Sequence, residues 1–546
     1  MCKHIDKKLH LLKSTSALLT LAFTSGSLYA VTCNPADSTT VDKVTACISQ
    51  THMTKMMQDF QKISDSNPDY TFINFIKKGS KTPPGSRDSG TPGDKASVKY
   101  ISDYMKSLGY TVTVQSYEVP YSADKIIPIL DVTAPTLTSY IPGKDFSSAV
   151  FSGSGDITAQ IQPVGAIIDA APPTAPSASG CNAADFANFI SGRVALMQRG
   201  VCPNRQKVLN AIAAGAVGVI TFNYSDENTG NTLLSPDGMT VPVYAYIPYS
   251  IGINLYRQAL AGPVTVHIKA DVLTEIRTTY NVIADSKYGD PGSTVVLGGH
   301  YDSIFGAGML DNASGVVSMM EIAAAMKDTP TVNRLRFGFW GGEELGLYGS
   351  DYYVSNLSSA DLNKIVYNLD FDVTATKNYV FNISDPAYAI ANPSGSISDA
   401  SLWKSNAVKA SALSVGLFKN YMDSVKMPYY FKWSAVDISG SDDDTFIIAG
   451  TPIGSLVTGQ GSGKTKEDVA LFGGTVGPFD VCADTPYVFC DNIDNTDPVV
   501  QTKVTKAFAA VTVGLAFDHN IKTSSGQAVY KKGTAITGWT GKHFKP

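Results

Sequence analysis

Three short stretches of the chain combine histidine and carboxylate side chains with glycine-rich turns. They read GGHYDS at 298–303, LDNASG at 310–315 and WGGEELG at 340–346. Imidazole and carboxylate groups are the ligands that zinc takes in hydrolytic sites, where a further carboxylate accepts a proton from water. The residues that could do this chemistry are His300, Asp311, Glu343 and Glu344.

Each stretch lies at the end of an apolar run or at the start of one. Buried strands are predicted over Thr294–Leu297, Arg334–Trp340 and Lys364–Val373, and a helix rich in Ala, Val and Met over Ser314–Met326. This alternation predicts an α/β fold, with a mostly parallel mixed sheet and helices on both faces. Ligands bind beyond the carboxyl ends of the strands in such sheets, which is where His300 and the Glu343–Glu344 pair fall.

The three stretches resemble the motifs of the M28 family of di-zinc aminopeptidases, across roughly the C-terminal half of the chain. The resemblance implies that His300 binds a first zinc ion, that Asp311 bridges two ions and that Glu344 binds the second. It also implies that Glu343 is the general base, which deprotonates the zinc-bound water and later protonates the leaving amine. Asp302 would support the turn that carries the histidine.

The third ligand of the first zinc ion lies in the run YNLDFDV at 367–373. Alignment without gaps against the corresponding family strand places Asp372 at the ligand position. Asp370 stays open as the alternative, because residues two apart in a strand point to the same face.

The last ligand of the family, a histidine between two cysteines near the C-terminus, is missing. Between Cys482 and Cys490 the chain reads ADTPYVF. Asp484 is the predicted substitute, because zinc also accepts carboxylate oxygen. Tyr487 is the candidate for holding the developing oxyanion, since the family's tyrosine aligns with Ala483. A weak or empty second site with one working zinc ion stays open, and so does a degenerate site.

Residues 140–275 are predicted to be an insertion. A strand over Val194–Gln198, a helix over Lys207–Ala214 and a buried strand over Gly218–Phe222 indicate a compact β-rich lobe. The order of short motifs here resembles the protease-associated (PA) domain. The resemblance implies a lid or substrate-positioning lobe without chemistry of its own.

The N-terminus has the pattern of a cleaved signal peptide. Basic residues, among them Lys3 and Lys13, precede a short apolar stretch at 18–23 and a small residue, Ala30. A membrane anchor is the alternative, but the apolar run is too short to span a bilayer comfortably. The formal net charge of -5 argues against non-specific nucleic-acid binding. We therefore expect a secreted (extracellular or periplasmic) monomer with peptide substrates and no stable membrane association.

Cysteine usage agrees with export. The chain has seven cysteines, and removal of Cys2 with the signal leaves six, which lie in three neighbouring pairs. Local pairing is the simplest interpretation, and an oxidising compartment permits it. The predicted disulfides are Cys33–Cys47, Cys181–Cys202 and Cys482–Cys490.

The predicted organisation has six parts. They are a signal peptide (1–30), an N-terminal helical or pro-segment whose removal could activate the enzyme (31–80), the start of the peptidase domain (81–139), the PA insertion (140–275), the M28-like peptidase domain (276–520) and a C-terminal tail (521–546). Within the third part, the Pro- and Gly-rich run 81–96 is predicted to be a loop.

The sequence thus predicts a secreted zinc aminopeptidase that hydrolyses N-terminal residues of peptides with zinc-bound hydroxide and a glutamate base. Two zinc ions are expected. A mono-zinc enzyme similar to glutaminyl cyclase is one alternative, and a catalytically degenerate binding protein of the same architecture is the other.

Overall fold

The computed structural model describes residues 39–76, 80–170, 177–223, 241–391, 402–431, 440–461 and 463–524. The predicted signal peptide, Cys33 and residues 525–546 of the tail lie outside these ranges. Within them, no helix is both long enough and apolar enough to cross a membrane.

The strands of the described residues are β1 Thr111–Asp124, β2 Ile129–Ala134, β3 Thr138–Ser139, β4 Ser147–Ser148, β5 Gly155–Pro163, β6 Val194–Gln198, β7 Gly218–Phe222, β8 Val243–Ile247, β9 Thr265–Ala270, β10 Val272–Asp285, β11 Asp290–His300, β12 Asn333–Trp340, β13 Ile365–Asp370, β14 Asn382–Ile383, β15 Ile453–Val457, β16 Gly463–Lys464 and β17 Gly477–Pro478. The helices are α1 Val41–Cys47, α2 Gln50–Asp65, α3 Pro92–Ser107, α4 Asn204–Ala213, α5 Tyr249–Ala261, α6 Ser314–Met326, α7 Tyr348–Ser355, α8 Ser359–Leu362, α9 Pro386–Ala391, α10 Ser405–Ala410, α11 Ala412–Ser424, α12 Asp443–Ala449, α13 Lys466–Phe472, α14 Pro498–Ala516 and α15 Ile521–Ser524.

The larger part of the chain is built on a seven-stranded sheet with the order β1-β10-β12-β11-β13-β15-β14. The four strands β12, β11, β13 and β15 are parallel to one another, and β1, β10 and β14 pair antiparallel at the two sides. The carboxyl ends of the parallel strands therefore meet along one edge, as the sequence predicts. The predicted mixed α/β fold is confirmed.

Strand β11 shows why helices cover both faces of this sheet. Val295 and Leu297 pack into one apolar core with residues of α6 and α14. Val296 packs on the opposite face with residues of α7, α10 and α12. Successive side chains of a strand point to opposite faces, so an unbroken apolar run requires cover on both sides.

The second large sheet has eight strands in the order β3-β2-β9-β5-β6-β7-β8-β4, with β5 to β8 parallel. The chain enters it after β1 and returns through β10. These two strands pair with each other along their length, and Asp124 stands opposite Val272. The strand pairing thus places the insertion between these two residues, whereas the sequence analysis predicts it at 140–275.

The N-terminal helices α1 and α2 belong to the core of the seven-stranded sheet. Met53, Met56 and Phe60 of α2 are buried in the same apolar cluster as α6 and α14. His52 Nδ1 lies 2.5 Å from Glu321 Oε2 of α6, and the Ser49 N–H donates to Glu321 Oε1 at 2.7 Å. The predicted pro-segment therefore contains two helices on which the peptidase core packs.

Helix α3 begins inside the run predicted to be a loop. The Thr91 side chain caps it by accepting from the Asp94 N–H, and Pro92 occupies the first turn, where its missing N–H costs no hydrogen bond.

Candidate metal centre

His300 is the last residue of β11 and turns its Nε2 toward two carboxylates. This nitrogen lies 2.9 Å from Asp311 Oδ1 and 3.3 Å from Asp372 Oδ1. The other ring nitrogen, Nδ1, lies 3.2 Å from the backbone oxygen of Asp302. A hydrogen bond from Nδ1 to that carbonyl fixes the ring and leaves Nε2 free to bind a metal ion.

Asp311 lies on the segment that joins β11 to α6. Its own N–H and that of Leu310 both donate to the buried carboxylate of Asp491, at 3.0 Å and 2.9 Å. Helix α6 begins three residues later, at Ser314. Asp311 is therefore not the cap of that helix, and its carboxylate is free to face His300.

Asp372 follows β13 by two residues and is held next to the Asp311 segment by Asn312. The Asn312 amide donates to the Phe371 carbonyl at 2.7 Å, and its oxygen accepts from the Val373 N–H at 3.2 Å. The two segments approach so closely that a Cβ on Gly315 would come within 2.0 Å of the Phe371 oxygen. Glycine is required there, which explains part of the LDNASG motif.

Asp370, the alternative ligand, ends β13 and is buried, but its carboxylate forms no ion pair with His300. Burial raises the pKa of its carboxyl well above the ordinary value, and Asp372 and Asp442 add to the rise. The structure thus brings Asp372, and not Asp370, to His300 Nε2.

Glu343 and Glu344 follow β12 after a turn at Gly342, whose φ of 72° suits glycine. Glu343 Oε2 lies 3.9 Å from His300 Nε2. A Glu344 carboxylate oxygen lies within 4.8 Å of the ligand atoms of His300 and Asp311. Both glutamates therefore reach the same edge of the sheet as the histidine.

Asp302 connects the imidazole to the glutamate pair. Its Oδ1 accepts from the Glu343 N–H at 3.3 Å, and its Oδ2 accepts from the Ser89 hydroxyl at 3.0 Å. Its backbone oxygen faces His300 Nδ1. Asp302 is fully buried and joins the turn after His300 to Glu343 and Ser89.

The electrostatics of the cluster are dominated by carboxylates. Burial raises the pKa of Glu343 well above its ordinary value; His300 opposes this rise, whereas Asp372 adds to it. The pKa of Glu344 is raised well above its ordinary value by burial first, and then by Asp484 and Asp311 beside it. Carboxylates placed this close together are stabilised by a cation of high charge.

Asp484 joins the cluster through a glutamine that the sequence analysis does not identify. Gln460 Nε2 donates to Asp311 Oδ2 at 2.5 Å and to Asp484 Oδ2 at 2.8 Å. Tyr487, the candidate for the oxyanion, instead donates its hydroxyl to Asp124 Oδ2 at 2.5 Å. The loop that carries both residues is closed by the Cys482–Cys490 disulfide.

A second predicted disulfide, Cys181–Cys202, is also present. The third, Cys33–Cys47, involves a cysteine outside the described residues.

The donor set fits zinc. It combines one imidazole nitrogen with several carboxylate oxygens, and zinc accepts both kinds of ligand. Glu344 Oε1 is buried, and no described residue forms a hydrogen bond to it. Asp311 Oδ1 lies near the imidazole but lacks the geometry of a hydrogen bond to it. Buried carboxylate oxygens that accept no hydrogen bond can be satisfied by a metal ion.

Arg87 is a further supporting residue that sequence reasoning missed. Its side chain is fully buried and donates to the carbonyl oxygens of Tyr301, Ala307 and Gly308, the last two at 2.7 Å and 2.6 Å. These carbonyls line the loop between His300 and Asp311. The guanidinium thereby holds in place the connection between two candidate ligands.

Similarity to known proteins shows to which family the chain belongs. Residues 281–512 match peptidase family M28, and residues 166–254 match the PA domain. An aminopeptidase from Pseudomonas aeruginosa (strain UCBPP-PA14) is 30% identical over 490 residues, which cover 87% of this chain and 82% of the relative. The chain belongs to peptidase family M28. A probable leucine aminopeptidase 2 from Aspergillus oryzae is 33% identical over 442 residues, 79% of this chain and 80% of its own length.

Solved structures show the same fold. The aminopeptidase from Aneurinibacillus sp. strain AM-1 matches with a TM-score of 0.61 at 21% identity, covering 87% of this M28 chain and 95% of its own. A zinc aminopeptidase from Bacillus subtilis matches with a TM-score of 0.55 at 20% identity, covering 86% and 96%. The predicted M28 peptidase with a PA domain is confirmed, and the chain is a hydrolase.

Proposed function

We propose that this M28 peptidase is a zinc aminopeptidase that removes single residues from the N-termini of peptides. One observation carries the proposal: His300 Nε2 meets Asp311 and Asp372 within 3.3 Å, and Glu343 lies 3.9 Å away. Relatives named as aminopeptidases favour this function over the cyclase alternative.

The residues divide into two candidate metal positions that share Asp311. His300 and Asp372 would complete the first position, and Glu344 and Asp484 the second. Zinc in such a site polarises a carbonyl oxygen and lowers the pKa of water to near neutrality.

Glu343 moves the proton in this proposal. Its carboxylate takes a proton from the attacking water as the water oxygen bonds to the carbonyl carbon of the first peptide bond. When the carbon–nitrogen bond breaks, Glu343 gives that proton to the leaving amine nitrogen. The raised pKa of Glu343 suits a group that must both accept and return a proton.

The charge of the site favours the amino end of a peptide. Five carboxylates converge on one imidazole: Asp311, Asp372, Glu343, Glu344 and Asp484. Two divalent cations balance four of these five negative charges, so the loaded site keeps a small net negative charge, which attracts the ammonium group of a peptide N-terminus and repels a C-terminal carboxylate.

The inserted domain is proposed to restrict the entrance, so that free peptides are preferred over folded proteins. It contacts the loop that carries Asp484: a Cβ on Gly143 would come within 2.8 Å of the Pro486 oxygen. The Tyr487 hydroxyl also bonds to Asp124, the last residue of β1 before the insertion.

Export with cleavage after the N-terminal signal is part of the proposal. The basic and apolar pattern of residues 1–30 and the two disulfides support it. The enzyme would then act outside the cytoplasm as a monomer.

The test uses the purified chain and two versions of one peptide, with a free and with an acetylated N-terminus. We expect stepwise release of amino acids from the free peptide only, and loss of release after zinc is removed with a chelator. Cleavage of both peptides would contradict an aminopeptidase. Cyclisation of an N-terminal glutamine without release of amino acids would identify the cyclase, and no reaction with either peptide would support the degenerate protein.

A further inference from the structure

The two candidate metal positions differ in their chemistry. The first contains the imidazole of His300, whereas the second is lined by carboxylates alone. Asp311 Oδ2, on the side away from the imidazole, accepts from Gln460, which also holds Asp484. Glu344 lies beside both: one of its carboxylate oxygens is within 4.8 Å of a ligand atom of Asp311, and its side chain contacts that of Asp484.

Gln460 uses one amide group to hold two carboxylates. An amide nitrogen has two N–H donors, and here they are directed to Asp311 Oδ2 and Asp484 Oδ2. Each carboxylate keeps its other oxygen, and each bonded oxygen keeps a lone pair. The amide thus orients the pair without exhausting its capacity to bind a cation.

The backbone that carries Gln460 is fastened to the segment of Asp372. The Thr458 hydroxyl donates to the Val373 oxygen at 2.5 Å, and the Thr376 hydroxyl donates to the Gly459 oxygen at 2.6 Å. Gly459 has a φ of 97°, and a Cβ there would come within 2.8 Å of Phe479. A turn held in this way gives the glutamine a defined position relative to the first metal position.

Asp484 is held from the other side. The Asp480 carboxylate accepts from the Cys482 and Ala483 N–H groups at 2.9 Å and 2.6 Å, directly before Asp484. Asp484 itself has a φ of 50° and is an exposed residue of this loop, whereas its Oδ2 is turned toward Gln460. A site closed by such a residue exchanges its ion with solvent more readily than a fully buried one.

We propose that Asp311, Glu344 and Asp484 form an all-oxygen site, positioned by Gln460, which takes a hard and exchangeable divalent cation of the manganese or magnesium class beside the zinc ion at His300. Carboxylate oxygens suit hard cations, whereas imidazole favours zinc. The proposal rests on the proposed function for its first metal position, but not for the nature of the second ion.

The experiment begins with the full chain loaded with zinc. The protein is dialysed against Mn²⁺ in large excess over zinc, and both metals per chain are measured by elemental analysis and by the Mn²⁺ electron paramagnetic resonance signal. We expect the wild-type chain to exchange one zinc ion for manganese and to keep the other. Asp484→His introduces an imidazole and should keep two zinc ions under the same conditions.

Gln460→Ala tests the positioning role separately. Removal of a hydrogen bond that orients metal ligands typically costs about 10-fold to 100-fold in metal affinity. The manganese affinity should fall by that factor while zinc stays bound at the first position, and Gln460→Glu should not restore it, since a carboxylate cannot donate to Asp311. Gln206→Ala, an exposed glutamine of the inserted lobe, is the matched control.

The outcomes separate this inference from the proposed function. Retention of two zinc ions by the wild-type chain, or identical exchange in the Asp484→His variant, would overturn the all-oxygen site. Unchanged manganese affinity in Gln460→Ala would overturn the role of the glutamine. Failure of the proposed function gives a different result. A chain that retains no zinc at all lacks the first metal position as well as the second.

Discussion

Arg87 offers the sharpest test of how the site is held. Its guanidinium is fully buried and serves three carbonyl oxygens of the loop between His300 and Asp311. Burial lowers the pKa of Arg87 to about 10, so the group stays charged at neutral pH. The planar fork of donors that meets three acceptors is a property of arginine that lysine does not share.

The substitution Arg87→Lys keeps the charge but removes this fork. The lysine ammonium has three N–H donors, but they diverge from one nitrogen, so we expect it to reach one of the three carbonyls and to leave two buried without a donor. Hydrogen bonds to charged groups contribute about 1.5–3 kcal/mol each, so we expect a loss of about 3–6 kcal/mol in the free energy of unfolding. The loosened loop should also release zinc faster.

Chemical denaturation measures the first effect and zinc transfer to a chromogenic chelator measures the second. Arg257→Lys is the matched control, because its side chain is 60% exposed and its ion pair with Asp169 is worth little. If Arg87→Lys unfolds within about 1 kcal/mol of the wild type and holds zinc equally well, the guanidinium does not position the loop.

Three further predictions follow from single contacts. Burial raises the pKa of the Asp94 carboxyl to about 7. The folded chain therefore holds the proton of this carboxyl more tightly than the unfolded chain does. The free energy of unfolding should fall by up to about 4 kcal/mol as the pH rises from about 4 to about 7. Asp94→Asn should flatten that part of the pH profile of unfolding, and an unchanged profile would contradict the shift. Phe60→Ala should lower the free energy of unfolding by about 3–5 kcal/mol, since Phe60 is fully buried against the peptidase core; wild-type stability would show that α2 is dispensable. Tyr487→Phe should change turnover little, because its hydroxyl bonds to Asp124, whereas a loss of about 100-fold or more would return Tyr487 to the oxyanion role.

Local sequence patterns predict the buried elements best. Helix α6 and strands β6 and β7 coincide with their predictions, and both strands are buried at every position. A short apolar run between turn residues predicts a buried strand. Strand β13 ends before its predicted end because the Asn312 side chain, and not a neighbouring strand, takes the Val373 N–H.

The assembly of the site follows from the sheet, but its supports do not. Strand ends that meet along one edge predict that His300 and Glu343 come together, and the structure places them so. Gln460 and Asp311 are 149 residues apart in the sequence, and hydrophobic periodicity does not predict a contact between them. The same holds for Arg87, whose partners lie more than 200 residues away.

The packing of the N-terminal helices likewise depends on tertiary contacts that local sequence patterns do not predict. Their helical spacing is visible in the sequence, but their packing against α6 follows only from tertiary contacts, such as that of His52 with Glu321.

The measurement that tests the central claim most directly compares Glu343→Gln with the wild type, in zinc content and in the rate of N-terminal cleavage. Glu118→Gln, on the exposed side of β1, is the matched control. We expect Glu343→Gln to retain the zinc of the wild type and to lose at least about 100-fold in turnover, because the amide cannot accept the proton of the water. A variant that keeps both its zinc and its full rate would contradict Glu343 as the base.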